Sequence, residues 1–378
     1  VTRLRRAERM SILHLGYEDK DQPGSGGGSI RTHQINRQLA RRHDLTVLTA
    51  GWPGACDRIE DGVRYVHLGS GRTRARAISY FLRATRQAHR STAHLIVEDF
   101  GAPVGTVGIP RFTSVPVIAM VQWMFAAEMT AKYRLPFQLI ERWGVRQHRH
   151  FIAVSDDLAA DITGRHPGAE VQVVPNGVES EAFLTPADIG RFGSPSAPLV
   201  YLGRLDTTQK GIDVLIRALA SIPDRPLHIA GDGSDHDKLR RLASAMGVAD
   251  RIRWLGRVDG DRKYALLASA AAVIVPSRFE TFGMVAVEAA ATGTPVIGSD
   301  IACLRNVITD ETGVRVPPGD VGALAEAVTR LLADSERAAR LGAAGRAFAS
   351  QFDWQTIAAR QEAIYRRVAF ARYDGGKP

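Results

Sequence analysis

Short apolar runs alternate with longer helical stretches from one end of this chain to the other, and nothing else in the sequence constrains its fold as strongly. Runs at 12–16, 45–49, 95–97, 117–121, 151–154 and 171–174 are brief, rich in β-branched residues and bounded by turn residues. The stretch after Ser29 reads as the first helix. The rhythm restarts at 199–202 and continues through 227–230, 252–255, 272–275 and 295–298. Such a strand–helix repeat predicts an α/β fold with parallel sheets covered by helices on both faces. Roughly ten strands are more than one open sheet usually holds, so two sheets are expected. The stretch from 184 to 198, LTPADIGRFGSPSAP, carries three prolines and two glycines. It reads as a seam between an N-terminal domain at 1–184 and a C-terminal domain at 198–350. A last segment, 351–378, is helical by pattern over 354–371.

Composition narrows the class. The chain has 378 residues, 45% of them hydrophobic and 24% charged, which suits two ordinary globular domains. Two cysteines, Cys56 and Cys303, exclude a disulfide scaffold and a cysteine-rich zinc protein. No apolar run approaches the length of about 20 residues that spans a bilayer. The basic start lacks a following apolar segment, so no signal peptide is expected. The expected location is the cytoplasm, with the inner membrane face as a peripheral alternative. The net charge of +9 fits an anionic partner or simply arginine-rich usage. Six arginines and no acidic residue fall within 72–90. An amphipathic helix with a solvated basic side is the favoured reading of that stretch over a membrane contact. A basic nucleic-acid-binding protein is the alternative from a different class, but no recognised motif supports it, so no nucleic-acid partner is expected. Asp-x-Asp pairs at 19/21, 235/237 and 259/261 fall in predicted loops or helix starts, where Asp caps amides. The eleven histidines show no metal-ligand spacing, and no metal is expected.

Three motifs carry chemistry. The glycine run at 24–29 follows the first strand and precedes a helix, where backbone amides and a helix N-terminus can meet a phosphate. Ser29 excludes a G-x-G-x-x-G fingerprint, and no GK[ST] follows. The second motif is Gly203-Arg204-Leu205 after the strand at 199–202, with Lys210 and Gly211 at the next helix start. Ligands of open α/β folds bind at the C-terminal ends of strands, and two cations there can grip a diphosphate. The third is 277–288, SRFETFGMVAVE, where a strand ends and a helix begins near Gly283. Glu280 precedes that helix and Glu288 lies within it.

Glu280 and Glu288 match the E-x7-E signature of retaining nucleotide-sugar glycosyltransferases with the GT-B fold of two Rossmann-like domains. PNGV at 175–178, GRL…KG at 203–211, GDG at 231–233 and LGRV at 255–258 stand in the order and spacing of glycosyltransferase family 4, which this chain therefore resembles over nearly its whole length. The resemblance implies an N-terminal acceptor-binding domain and a C-terminal nucleotide-sugar-binding domain facing each other across a cleft, with the final helix crossing back to the first domain. It implies a nucleotide diphosphate sugar as donor, UDP-sugars favoured, no required cofactor, and an acceptor hydroxyl on a saccharide, glycolipid or natural product. By position, Arg204 and Lys210 would hold the diphosphate and Glu280 the donor sugar. Glu288 would bind the ribose. Phe282, Gly283 and Met284 would offer amides, Arg257 and Val258 would flank the base, and Gly27 and Gly28 would approach the diphosphate.

One position departs from the family pattern. Gln122 stands after the strand at 117–121, where many relatives carry a histidine. Gln hydrogen-bonds but does not titrate. Glu98, Asp99 and Glu128 are the substitutes considered for the acceptor side. The runner-up enzyme is a GT-B nucleotide-sugar epimerase or hydrolase sharing the diphosphate site.

Overall fold

The first sheet is built from β1 (Ser11–Leu15), β2 (Asp44–Ala50), β3 (Arg58–Glu60), β4 (Val63–Leu68), β5 (Leu95–Phe100), β6 (Val117–Val121), β7 (His150–Ala153) and β8 (Glu170–Val173). Their order is β3-β4-β2-β1-β5-β6-β7-β8. All pairings are parallel except β3 with β4. These strands belong to a computed structural model describing residues 9–374, apart from 24, 70–72, 102–107, 125, 127–129, 131–135, 186–188 and 223. Every residue of β6 is buried, as expected of a central strand covered on both faces, and so it reads as a continuous apolar run.

The hairpin of β3 and β4 was not among the expected strands. Arg58, Arg64 and His67 interrupt its apolar pattern. Its turn signal is Asp61-Gly62, both at positive φ (50° and 78°), the pair that tight two-residue hairpins favour. The arginine has a structural use. Asp19 is buried, and its carboxylate accepts from Arg58 at 2.8 and 2.9 Å and pairs with His67 Nε2 at 3.0 Å. Burial alone would raise the Asp19 carboxyl, but these bonds and the Asp21 amide hold it below its ordinary value.

The second sheet comprises β9 (Leu199–Leu202), β10 (Leu227–Ala230), β11 (Ile252–Gly256), β12 (Ala272–Val275), β13 (Val296–Ser299) and β14 (Gly313–Val316). It is wholly parallel, in the order β11-β10-β9-β12-β13-β14. Leu199, Tyr201, Leu227, Ile229 and Ile274 pack with the buried faces of the helices Ile212–Leu219 and Val321–Ala333 into one core.

The chain divides into two units: Val1–Asn176 with Trp354–Pro378, and Gly177–Asp353. The seam expected at 184–198 lies inside the second unit. Arg191 is buried and donates to the carbonyls of Ala270 (2.9 Å) and Gly293 (3.0 Å) and to Thr294 Oγ1 (2.9 Å). Phe192 joins the second unit's core. Proline and glycine made this stretch look like a linker; one guanidinium and one ring tie it down. On the first unit, the last strand runs out at Val174 and Pro175, whose carbonyls accept from the buried Arg31. Burial pulls that guanidinium down to about 10.

The helix Trp354–Asp374 belongs to the first unit, against the helix Gly27–Leu39. Among the described residues no helix is long and apolar enough to cross a membrane. Glu362 anchors the last helix: its carboxylate pairs with Arg42, with His43 Nε2 at 3.0 Å and with Arg366 at 3.0 Å. Removing one member of such a buried cluster strands the others. Glu362→Ala is expected to cost the first unit about 3 kcal/mol in urea unfolding at neutral pH. The Glu362 carboxyl is held below its ordinary 4.5, so its contribution is complete above that value and lost in more acid solution. The gap from the unsubstituted protein should close as pH falls below 4.5; a gap independent of pH would mean the carboxylate charge plays no part.

Candidate active site

In the second sheet the strand order reverses between β9 and β12, with β10 and β11 to one side and β13 and β14 to the other. Ligands of open α/β sheets bind at the C-terminal ends of the two strands that flank such a reversal. Two of the sequence motifs occupy the loops after those two strands.

After β9 the chain runs through Gly203-Arg204-Leu205 into the short helix Thr207–Lys210. Asp206 caps it, accepting from the amides of Thr208 (2.8 Å) and Gln209 (3.0 Å). Gly211 then turns left-handed at φ 61°, and a Cβ there would lie 2.1 Å from the Pro276 carbonyl oxygen. Only glycine lets the two loops approach so closely. That approach brings Lys210 Nζ onto Glu280 Oε1 as an ion pair. Ser277 Oγ donates to the same oxygen at 3.0 Å, and Cys303 Sγ donates to the Glu280 carbonyl at 3.2 Å. Arg278 completes the stitching. Its guanidinium clasps both oxygens of Asp213 (2.8 and 2.9 Å) and bonds the Thr207 carbonyl, while its amide donates to Gln209 O at 2.8 Å. Arg204 stays exposed, its guanidinium on Gln209 Oε1 at 2.7 Å.

The helix Met284–Ala291 begins just beyond, with Gly283 as its N-cap at φ 88° and no side-chain cap. The Ala286 amide donates to the Gly283 carbonyl at 2.9 Å, the amides before it precede the intrahelical ladder, and the helix end carries partial positive charge. Phe282 is buried and packs edge-on against Phe352, with centroids 5.8 Å apart, so only its backbone can serve a ligand. Glu288, on the second turn, is buried and accepts from Lys263 Nζ at 2.7 Å. Burial pushes its carboxyl above the ordinary value, against the opposing pull of Lys263. Val258 is buried, and the exposed Arg257 pairs with Asp259 at 2.8 Å.

Sequence reasoning missed Lys263, Ser277 and the Arg278–Asp213 clasp. Ser277 and Arg278 lay within the motif already quoted. Lys263 sits on the helix Asp261–Ser269, and nothing in its spacing from Glu288 announces a contact. The Asp-x-Asp pairs serve local structure: Asp235 accepts from the amide and hydroxyl of Thr207 (2.8 and 2.7 Å), and Asp259 holds Arg257.

The first sheet reverses its order between β1 and β5. There His14 Nε2 lies 3.0 Å from Asp99 Oδ1, and Thr32 Oγ1 donates to Asp99 Oδ2 at 3.0 Å. The helix Gly27–Leu39 opens with the glycine pair itself. Space at Gly27 is open, whereas a Cβ at Gly28 would lie 3.3 Å from Gln122 Nε2. That amide donates to the Gly28 carbonyl at 3.1 Å, so Gln122 braces the helix start. Glu98 corrects an expectation. It is 2% exposed and its Oε2 lies 2.7 Å from His148 Nε2, inside the protein rather than on an acceptor surface. Alternate strand residues face opposite sides of the sheet, which is why Glu98 and Asp99 part company. Glu128 lies outside the described residues.

Residues 25–182 match Glycosyltransferase Family 4, and residues 191–348 match Glycosyl transferases group 1. A glycogen synthase of Mycobacterium tuberculosis is 35% identical over an alignment covering 94% of this chain and 94% of that protein. The chain belongs to glycosyltransferase family 4. Among solved structures, sucrose-phosphate synthase from Thermosynechococcus elongatus superposes with a TM-score of 0.81 at 25% identity, covering 96% of this chain and all of that one. Anabaena Alr3699/HepE in complex with UDP and glucose gives 0.75 at 19% identity, covering 95% of this chain and 100% of that one. The family 4 glycosyltransferase fold is thus GT-B, with two Rossmann-like sheets.

For this glycosyltransferase the Glu288–Lys263 pair offers a direct test. The folded protein holds the Glu288 proton more tightly than the ordinary value of 4.5, which favours folding below 4.5 and ceases to do so as pH rises through the folded value. Lys263→Met removes the cation and keeps the stem. The variant should lose about 3 kcal/mol at pH 8 and clearly less at pH 5. An equal loss at both values, read by urea unfolding, would mean that Lys263 does not neutralise Glu288.

Proposed function

We propose that this family 4 glycosyltransferase takes a sugar from a nucleoside diphosphate, UDP-sugars before others, and transfers it with retention to a hydroxyl of a saccharide, glycolipid or small natural product. The observation that carries the reading is the Lys210–Glu280 pair, held between the β9 and β12 loops where the strand order reverses. A diphosphate placed there meets Lys210, the exposed Arg204 and the uncapped amides of Gly283 and Met284. Glu280, fixed by Lys210 and Ser277, accepts from sugar hydroxyls. Glu288 is a ribose acceptor that Lys263 keeps available for ionisation. Val258 and Arg257 flank the base through their backbone. The preference for uridine rests on the UDP held by a structural relative. On the first unit, Gly27 and Gly28 have the same chemistry, amides offered to a phosphate oxygen, with Gln122 holding that helix start.

In the reaction the bond from the anomeric carbon to the diphosphate oxygen breaks, and negative charge grows on the leaving phosphate. Arg204, Lys210 and the helix amides would meet that charge, which is electrostatic catalysis. The acceptor hydroxyl attacks on the face the diphosphate leaves, and a leaving phosphate oxygen takes its proton. No second carboxylate need flank the bond, unlike in a glycosidase. The side chains named supply the positive charge that the step needs.

Calorimetric titration with UDP, GDP, ADP and dTDP tests the site. Saturable binding of UDP is expected, weakened about tenfold or more by Lys210→Ala, the worth of one charge-assisted contact. Donor turnover should fall on the order of a hundredfold to a thousandfold in the same variant. Failure of all four nucleotides to bind would overturn the assignment.

A further inference from the structure

We propose that the second unit carries a second anion site, a cavity that binds a small phosphate ester such as a sugar phosphate. The cavity measures about 710 Å³, within the range of small-molecule sites, and its lining includes none of Lys210, Glu280 or Glu288. Three helices and one loop build it, the short helix Thr207–Lys210 contributing Thr207 and Thr208. The helix Ile212–Leu219 contributes Asp213 and Arg217, the helix His236–Ala245 contributes Lys238 and Arg241, and the loop after β12 contributes Arg278.

The charges do not balance. Four cations line the cavity against one carboxylate, Asp213. Both oxygens of that carboxylate are taken by Arg278, at 2.8 and 2.9 Å. Lys238 donates to the Thr207 hydroxyl at 3.0 Å and reaches the Asp235 carboxylate only through it, as the same hydroxyl donates to Asp235 at 2.7 Å. Among the described residues neither Arg217 nor Arg241 makes an ion pair within 4.0 Å, although the Arg217 charge still acts on Asp213 one helical turn away. Lys238 and Arg241 are also three apart on one helix, so they stand on the same face and repel. A dianion between Arg217, Lys238 and Arg241 relieves that repulsion and receives charge-assisted hydrogen bonds from several directions. Leu239 and Leu242 supply an apolar wall for the body of the ligand, and no aromatic ring lines the cavity. A nucleobase would therefore have nothing to stack on, and a phosphorylated polyol or sugar is the better fit. The inference stands on this cavity alone and does not depend on the donor assignment.

The test is calorimetric titration of the full chain with sorbitol 6-phosphate, a sugar phosphate with no anomeric carbon, and with sorbitol as the uncharged control. Saturable binding of the phosphate ester alone is expected. The double substitution Arg217→Ala/Arg241→Ala should weaken it about tenfold or more, the effect of losing a charge-assisted contact. Both arginines are exposed, so the variant should fold, which circular dichroism checks. Lys210→Ala should leave the binding intact, which separates this cavity from the donor site whatever the fate of the donor reading. Absence of saturable binding, or binding that the double substitution does not change, overturns the proposal.

Discussion

The candidate active site depends on one topological constraint: in each sheet, successive strands are added first to one side of the starting strand and then to the other. The C-terminal ends of the two strands that flank such a reversal are where ligands of open α/β sheets bind. In the second sheet the reversal lies between β9 and β12, in the first between β1 and β5. The second reversal holds Lys210 and Glu280; the first holds His14 and Asp99, with the glycine-led helix beside them. The chemistry of both places comes from what the loops carry, but their position comes from strand order.

Burial then sorts the carboxylates by use. Glu98 with His148 is a closed pair inside the first unit, almost without solvent contact, and Asp19 is itself fully buried against a partly exposed Arg58. A carboxylate in such surroundings must be paired or protonated, and its partner is occupied in doing so. Glu280 and Lys210 are different. Their side chains are 15% and 23% exposed, so the pair is held in place yet open to a ligand. Glu288 lies between these cases, 9% exposed and matched by Lys263. Desolvation and a single cation compete over its proton, a tension that structural pairs with several donors do not show.

Much of this was legible in the chain. The strands at 199–202, 227–230 and 272–275 read correctly because buried parallel strands are short, apolar and β-branched. The loops GRL and SRFETFG were legible because several motifs stand together in the family's order and spacing; residue by residue, a polar or glycine-rich loop after a strand is an ordinary turn. The hairpin of β3 and β4 was missed because Arg58 and His67 serve a buried acid from within a strand, which spoils the apolar pattern. The stretch at 184–198 misled for the opposite reason: composition reports the freedom of the backbone, while Arg191 and Phe192 decide where it is fixed.

The sequence by itself determined the strand–helix alternation, the family and the residue types at the strand ends, because these follow from local pattern and from motifs in fixed order. Only the tertiary structure decided which of them meet. Lys210 and Glu280 are 70 residues apart, and Lys263 and Glu288 are 25 apart on different helices. Glu98 and Asp99 are neighbours in the chain, yet one closes on His148 and the other on His14. Contacts of this kind are set by sheet order, by the pleat and by the close approach that Gly211 permits. None of these can be read from a linear spacing, because each depends on where another strand has been placed.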